Sequence, residues 1–139
     1  MVLSVLLRAM AAMALTGVAV IPVCRRHNTG PWVYGTVLAA CGIAFVAALG
    51  HLLAGAAPLT LTLPLGIPWL GAHFRLDALS AFFVMVINLG GAAASLYAIG
   101  YGRHESEPHR ILPFYPGFLA AMNLVVLADD AFVFLFAWE

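Results

Sequence analysis

The sequence contains no lysine, and charged side chains of any kind are scarce. Of its 139 residues, 9% are charged and 64% are hydrophobic, whereas a soluble domain carries about 25% charged and about 45–50% apolar residues. So few charges cannot cover a globular surface, but a surface that faces lipid does not need them. The formal net charge is zero, which argues against a nucleic-acid-binding protein, because such proteins carry a basic patch.

Cysteine is also rare, and no familiar catalytic motif is present. The two cysteines, Cys24 and Cys41, match no metal-ligand spacing and lie in apolar runs, so we interpret them as buried, unreactive thiols. The sequence has no Gly-rich phosphate loop, no CxxC pair and no nucleophile paired with a base. It therefore predicts no catalytic centre, no cofactor site and no metal site in this chain.

What the sequence does contain is a series of long apolar runs. A bilayer core of about 30 Å needs roughly 20 apolar residues per helix. The runs predict an all-α polytopic membrane protein with one transmembrane domain over residues 1–139, comprising four membrane helices and the start of a fifth. Their predicted ranges are 2–23, 32–53, 78–101, 112–127 and 131–139. No basic segment precedes the first run, so we interpret it as a retained helix and not as a cleaved signal peptide.

Residues 57–77 have a different pattern from the apolar runs. Leucine and threonine alternate over residues 59–63, and turn-forming residues interrupt the next stretch of chain at Pro64, Gly66, Pro68 and Gly71. A period of two is typical of an extended strand. The pattern predicts a short extended segment or hairpin on the membrane surface between the second and third helices.

The placement of the arginines predicts the orientation of the chain. Four arginines lie in the loops after the first and third helices, at Arg25, Arg26, Arg103 and Arg110. Two lie on the opposite side, Arg8 and Arg75. Because cytoplasmic loops carry the excess of arginine, we expect the N-terminus to lie outside the cytoplasm of a cell-membrane protein.

Glu139 is the sharpest functional signal. If the fifth helix starts near Asp130, nine residues at about 1.5 Å each place Glu139 about 13 Å deep, close to the bilayer midplane. Carboxylates that persist at this depth usually face a water path, a partner charge or a proton pathway. The alternative is that the segment does not insert and that Glu139 lies at the interface. With no cation nearby in sequence, we expect the chain to be a fragment of a longer protein that conducts no protons alone.

Two other polar residues have structural interpretations. Asp77 directly precedes the third helix, where an N-cap and the helix dipole both favour a carboxylate. Asn123 lies within the fourth helix, where an interhelical hydrogen bond is the favoured role.

Several segments resemble one family of membrane subunits. They are RLDALSAFF from Arg75, NLGGAAASLYAIGYGR from Asn88, NLVVLADDAF from Asn123 and the ending Phe136-Ala-Trp138-Glu139. Together they resemble antiporter-like subunits of respiratory complex I, multisubunit cation/proton antiporters and membrane-bound hydrogenases, with hydrogenase 4 component B the most similar. The match extends from about residue 72 to 139, and Asp77, Ser80, Tyr101 and Trp138 are its motif positions.

The resemblance implies a role for Glu139 and a set of partners. In this family the glutamate of the Trp-Glu motif is a proton-pathway carboxylate, and a lysine on a later helix pairs with it. The resemblance therefore implies the N-terminal part of a proton-translocating subunit, surrounded by lipid and by other membrane and peripheral subunits. Iron–sulfur, nickel–iron, flavin or quinone groups would belong to those partners. The alternatives are a cation/proton antiporter subunit, a structural membrane module and a non-functional truncated product.

Overall fold

The computed structural model describes residues 1–23, 29–65, 71–102 and 110–139. Within these ranges the chain forms five α-helices and two β-strands: α1 (Val2–Val20), α2 (Thr29–Leu53), β1 (Leu59–Leu63), β2 (Ala72–Leu76), α3 (Ala78–Tyr101), α4 (Phe114–Leu127) and α5 (Ala131–Trp138). Some predictions lie outside the described residues, namely those on Cys24, Arg25, Arg26, Gly66, Pro68 and Arg103.

Three of these helices are long and apolar enough to cross a membrane. They are α1, α2 and α3, with 19, 25 and 24 residues respectively. The prediction of a mainly helical membrane protein is thus confirmed for three candidate spans. Helix α4 has 14 residues, which at about 1.5 Å per residue is about 21 Å long. Helix α5 has eight residues.

Three helix boundaries differ by two or three residues from the approximate predicted ones. Helix α1 ends three residues early, at Val20, α2 begins three residues early, at Thr29, and α4 begins two residues late, at Phe114. A proline stands at each boundary: Pro22, Pro31 and Pro113. Proline lacks an N–H group and disfavours helical geometry in the residue before it, so it ends a helix but is tolerated in a first turn.

The first four helices close into a bundle. Helix α2 packs against α1 and α3, and α4 packs against the same two helices from the other side. Helix α5 lies against α4 and β2. The interior holds Leu6, Met10 and Met13 of α1 and Cys41 of α2, all of them almost completely buried. This four-helix bundle places one face of every long helix away from lipid.

Small side chains let the helices approach one another closely. A Cβ atom added at Gly91 of α3 would lie 3.0 Å from Cys41 Sγ and 3.2 Å from a methyl carbon of Leu119. Gly91 therefore allows α3 to contact α2 and α4 at the same level. A Cβ atom added at Gly17 would lie 2.7 Å from the Pro113 carbonyl oxygen. Glycine at this position is what lets α1 approach the start of α4.

The hairpin predicted from the alternating pattern is confirmed. Strand β1 pairs antiparallel with β2, with Thr62 opposite His73 and Leu61 opposite Phe74. In β2 the side chains alternate, and those of Ala72, Phe74 and Leu76 point into the core. Because these apolar side chains reach the core, the hairpin is fixed against the end of the bundle where α3 and α5 begin.

Candidate functional site

The start of α3 is fixed by a reciprocal pair of hydrogen bonds between Asp77 and Ser80. The Ser80 N–H donates to Asp77 Oδ1 at 2.9 Å, and the Asp77 N–H donates to Ser80 Oγ at 2.8 Å. Arg75 Nε lies 3.5 Å from Asp77 Oδ2. The Ser80 N–H bond is the main cause that lowers the pKa of Asp77 below its ordinary value of 3.8. Asp77 and Ser80 thus form a capping box at the start of α3.

The start of α5 is organised around the Asp130 carboxylate. Its Oδ1 atom accepts the Val133 N–H at 2.7 Å. Its Oδ2 atom accepts the backbone N–H of His73 at 2.8 Å and lies 3.3 Å from His73 Nδ1. These bonds, led by the one from Val133, lower the pKa of Asp130. The sequence predicts Asp130 only as a helix start and gives no signal of its contact with His73, because the two residues are 57 positions apart.

Inside the bundle, two asparagines join α3 to α4. Asn88 Nδ2 donates to Asn123 Oδ1 at 2.6 Å and to the Val84 carbonyl at 2.7 Å. Asn123 Nδ2 donates to the Leu119 carbonyl at 2.8 Å. Both side chains are completely buried, and Asn88 Oδ1 has no hydrogen-bond partner among the described residues. The structure thus places Asn123 in an interhelical hydrogen bond whose other member, Asn88, was not singled out from the sequence.

A second polar contact joins the same two helices two turns away. Ser95 Oγ and Tyr115 Oη lie 2.8 Å apart, and the Tyr115 hydroxyl donates to the Gly91 carbonyl at 3.1 Å. The Tyr115 ring also meets the ring of Tyr34 edge to face, with centroids 5.6 Å apart. Tyr115 was missed in the sequence because an interfacial tyrosine near a proline gives no signal of an interhelical partner.

Glu139 directly follows α5, about as far along its helix from the hairpin end as Asn88 lies along α3. Arg75 contacts both Asp77 and Asp129, so α3 and α5 begin at the same level. Counted from these starts, Asn88 lies about 16 Å and Glu139 about 13 Å along its helix. The Glu139 side chain is exposed, and its N–H donates to the Leu135 carbonyl at 3.2 Å. Among the described residues, the structure places no cation within ion-pair distance of this carboxylate.

The other motif residues lie on the outer surface. The Trp138 side chain is 70% exposed and that of Tyr101 is 60% exposed. Trp138 stacks on Phe134 within α5, with ring centroids 6.3 Å apart, and Tyr101 stacks on Tyr97 within α3, with centroids 5.3 Å apart. The structure therefore does not bring Tyr101, Trp138 and Glu139 together with the hairpin residues into one site.

These features define a class: a helical membrane protein in which buried polar side chains join two helices of the bundle. No family model matches the chain. Among curated proteins, the chain is 38% identical over 73 residues to an uncharacterized protein of Mycobacterium tuberculosis, a match that covers 52% of this chain and 11% of that protein.

Two relatives have more informative names. The chain is 37% identical over 67 residues to hydrogenase-4 component B of Escherichia coli. It is 32% identical over 65 residues to the NADH-quinone oxidoreductase subunit L of M. tuberculosis. Each match covers 47% of this chain and 10% of the relative, so the chain spans about a tenth of the length of the curated relatives it matches. The resemblance to these antiporter-like subunits is thereby confirmed over about half of the chain.

Proposed function

We propose that this chain is the N-terminal part of a proton-translocating membrane subunit in a hydrogenase or NADH-dehydrogenase-like complex. In this proposal the hydrogenase is of the formate hydrogenlyase type, and the subunit couples electron transport to ion movement. The observation that carries the proposal is the position of Glu139 about 13 Å along α5, a rise similar to the one that separates the buried Asn88 from the start of α3. The similarity to hydrogenase-4 component B and to NADH-quinone oxidoreductase subunit L supports it.

The packing of α4 supports a fourth membrane span and the start of a fifth. Helix α4 runs antiparallel to α3, since Asn123 meets Asn88 and Tyr115 meets Ser95. A helix that is bonded along its length to a 24-residue span lies at the same depth in the bilayer. In this proposal helix α5 enters the membrane from the hairpin side. The arginine placement supports an N-terminus outside the cytoplasm.

The chemistry is set by the cost of a charge in the bilayer. A carboxylate at mid-membrane is stable when a cation or water faces it, and a nearby cation favours its ionised form. Withdrawal of that cation favours the protonated form, so alternation between the two arrangements takes up a proton and releases it. In this proposal Glu139 supplies the carboxylate. Another part of the assembly supplies the cation, and partner subunits carry the redox groups (iron–sulfur, nickel–iron, flavin or quinone).

The decisive experiment replaces Glu139 by glutamine in the full-length protein within its own assembly. Inverted membrane vesicles receive formate or NADH, and a pH-sensitive dye and the electron-transfer rate are monitored together. We expect Glu139→Gln to lower the number of protons moved per electron by roughly tenfold, because a side chain that cannot take up a proton interrupts the transfer. The matched control is Asp129→Asn, which removes one carboxylate outside the membrane helices.

Each alternative function predicts a different result. Wild-type proton movement in Glu139→Gln would overturn the proton-pathway role. Proton release driven by added sodium, without any electron donor, would favour a cation/proton antiporter subunit. A structural membrane module would leave every transport signal unchanged in Glu139→Gln while assembly stays normal.

A further inference from the structure

The turn between α4 and α5 is bonded to the edge of β2 that does not pair with β1. One edge of β2 pairs with β1. On the other edge, Phe74 forms an isolated antiparallel bridge with Ala128, and the Asp129 N–H donates to the His73 carbonyl at 3.0 Å. The short segment from Ala128 to Asp130 is therefore bonded to the edge of β2 that β1 leaves open.

At Asp130 the side chain, and not the backbone, bonds this edge of β2. The His73 N–H, which points out from the same edge of β2, donates to Asp130 Oδ2 at 2.8 Å. The other oxygen, Oδ1, accepts the Val133 N–H in the first turn of α5 at 2.7 Å. One carboxylate thus ends the strand pairing and begins the helix. This double role needs two accepting oxygens in a fixed geometry. A hydroxyl or an amide has only one oxygen and cannot fill it.

Helix α5 also packs against α4 and β2, but it has only eight residues, of which Val133 and Ala137 are buried. In so short a helix, the way the first turn is held contributes directly to its depth and rotation. Each residue along a helix changes the facing direction by about 100° and the depth by about 1.5 Å, so a small change at Asp130 displaces a side chain two turns further on.

We propose that Asp130 is a positioning residue for Glu139. By bonding the hairpin through Oδ2 and the helix through Oδ1, it sets the depth and direction at which α5 presents the Glu139 carboxylate. This inference rests on the proposed proton-pathway role of Glu139. It adds that the hairpin and Glu139 are mechanically coupled through one side chain, although they lie at opposite ends of α5.

The test separates the two bonds of Asp130. In Asp130→Ser the hydroxyl keeps the cap on the Val133 N–H, since serine is a good N-cap, but its single oxygen does not also reach His73. In His73→Pro the cap is untouched, while the N–H on the β2 side is removed together with the imidazole that lies 3.3 Å from Asp130 Oδ2, at an edge position where proline is tolerated. The matched controls are His73→Ala, which keeps that N–H, and Asp129→Asn, which keeps the backbone bond to His73.

Two readouts are needed, both on the full-length protein in its assembly. Hydrogen exchange should show faster exchange in β2 for Asp130→Ser, by roughly tenfold or more for the His73 amide, since a hydrogen bond to a charged group is lost. Exchange in α5 should stay slow in both test variants. The number of protons moved per electron should fall about threefold or more at an unchanged electron-transfer rate, because proton transfer requires hydrogen-bond reach. A role limited to folding would lower both rates together and leave that ratio unchanged.

The outcomes distinguish this inference from the proposed function. If Asp130→Ser and His73→Pro lose the bond to β2 but keep the wild-type proton-to-electron ratio, while Glu139→Gln lowers it, Asp130 does not position Glu139. If Glu139→Gln itself leaves the ratio unchanged, the proposed function fails first. If His73→Ala lowers the ratio as much as His73→Pro does, the imidazole and not the backbone bond is responsible, which also overturns the inference as stated.

Discussion

Replacing the buried asparagines by leucine, singly and together, tests what holds α3 against α4. Leucine branches at the same position as asparagine and so fills a similar volume without polar atoms. Asn123→Leu leaves one Asn88 N–H without its acceptor, and Asn88→Leu leaves Asn123 Oδ1 without its donor. An unsatisfied buried polar group costs about 1–3 kcal/mol, so each single variant should lower the free energy of unfolding by that amount.

In the double variant the change in the free energy of unfolding should differ from the sum of the two single changes. It removes both ends of the hydrogen bond, and it also removes Asn88 Oδ1, which has no partner among the described residues in the wild-type structure. Polar contacts between membrane helices are worth about 0.6 kcal/mol on average and about 1.7 kcal/mol at most. We therefore expect the double variant to be more stable than either single variant, with a coupling energy of about 0.6–1.7 kcal/mol.

The assay is unfolding in mixed micelles as the fraction of denaturing detergent rises, monitored by helical circular dichroism. A control cycle combines Asn123→Leu with Ser95→Ala, since Ser95 bonds Tyr115 and not Asn123; these two changes should add. Additive effects of Asn88→Leu and Asn123→Leu would refute the reasoning, because they would mean that the 2.6 Å contact contributes no interaction energy.

Two further predictions concern the bundle and its hairpin end. Gly17→Ala should lower the free energy of unfolding by about 1–3 kcal/mol relative to Gly42→Ala. The Cβ atom added at Gly17 would lie 2.7 Å from the Pro113 carbonyl oxygen, while the one added at Gly42 would meet nothing within 4 Å. Equal stability of the two variants would contradict the close contact between α1 and the start of α4. Since the pKa of Asp77 is lowered, its contribution to stability is present above its ordinary value of 3.8 and is lost as the pH falls through its folded value. The unfolding free energy should therefore fall less below about pH 4 in Asp77→Asn than in the wild type, and parallel pH curves would show that Asp77 is not held by Ser80.

Much of the architecture is encoded in short stretches of sequence, because the forces that select it act locally. Apolar runs of about 20 residues predict membrane helices on their own, and α1, α2 and α3 satisfy that length. The alternation over residues 59–63 predicts a strand because successive side chains face opposite sides. Asp77 likewise sits three residues from Ser80, within reach of a capping box. The predicted depth of Glu139 needs only the start of α5 and the rise per residue.

Other features were decided by tertiary structure, because their partners are distant in the chain. Asn88 and Asn123 are separated by 35 positions, and His73 and Asp130 by 57. No periodicity or spacing specifies which buried asparagine meets which, or that a carboxylate continues a strand edge. Those pairings depend on how α3, α4 and the hairpin are placed by the packing of the whole bundle. The sequence by itself thus predicted a fifth helix that ends in a carboxylate, while only the fold decided that the hairpin holds the first turn of that helix.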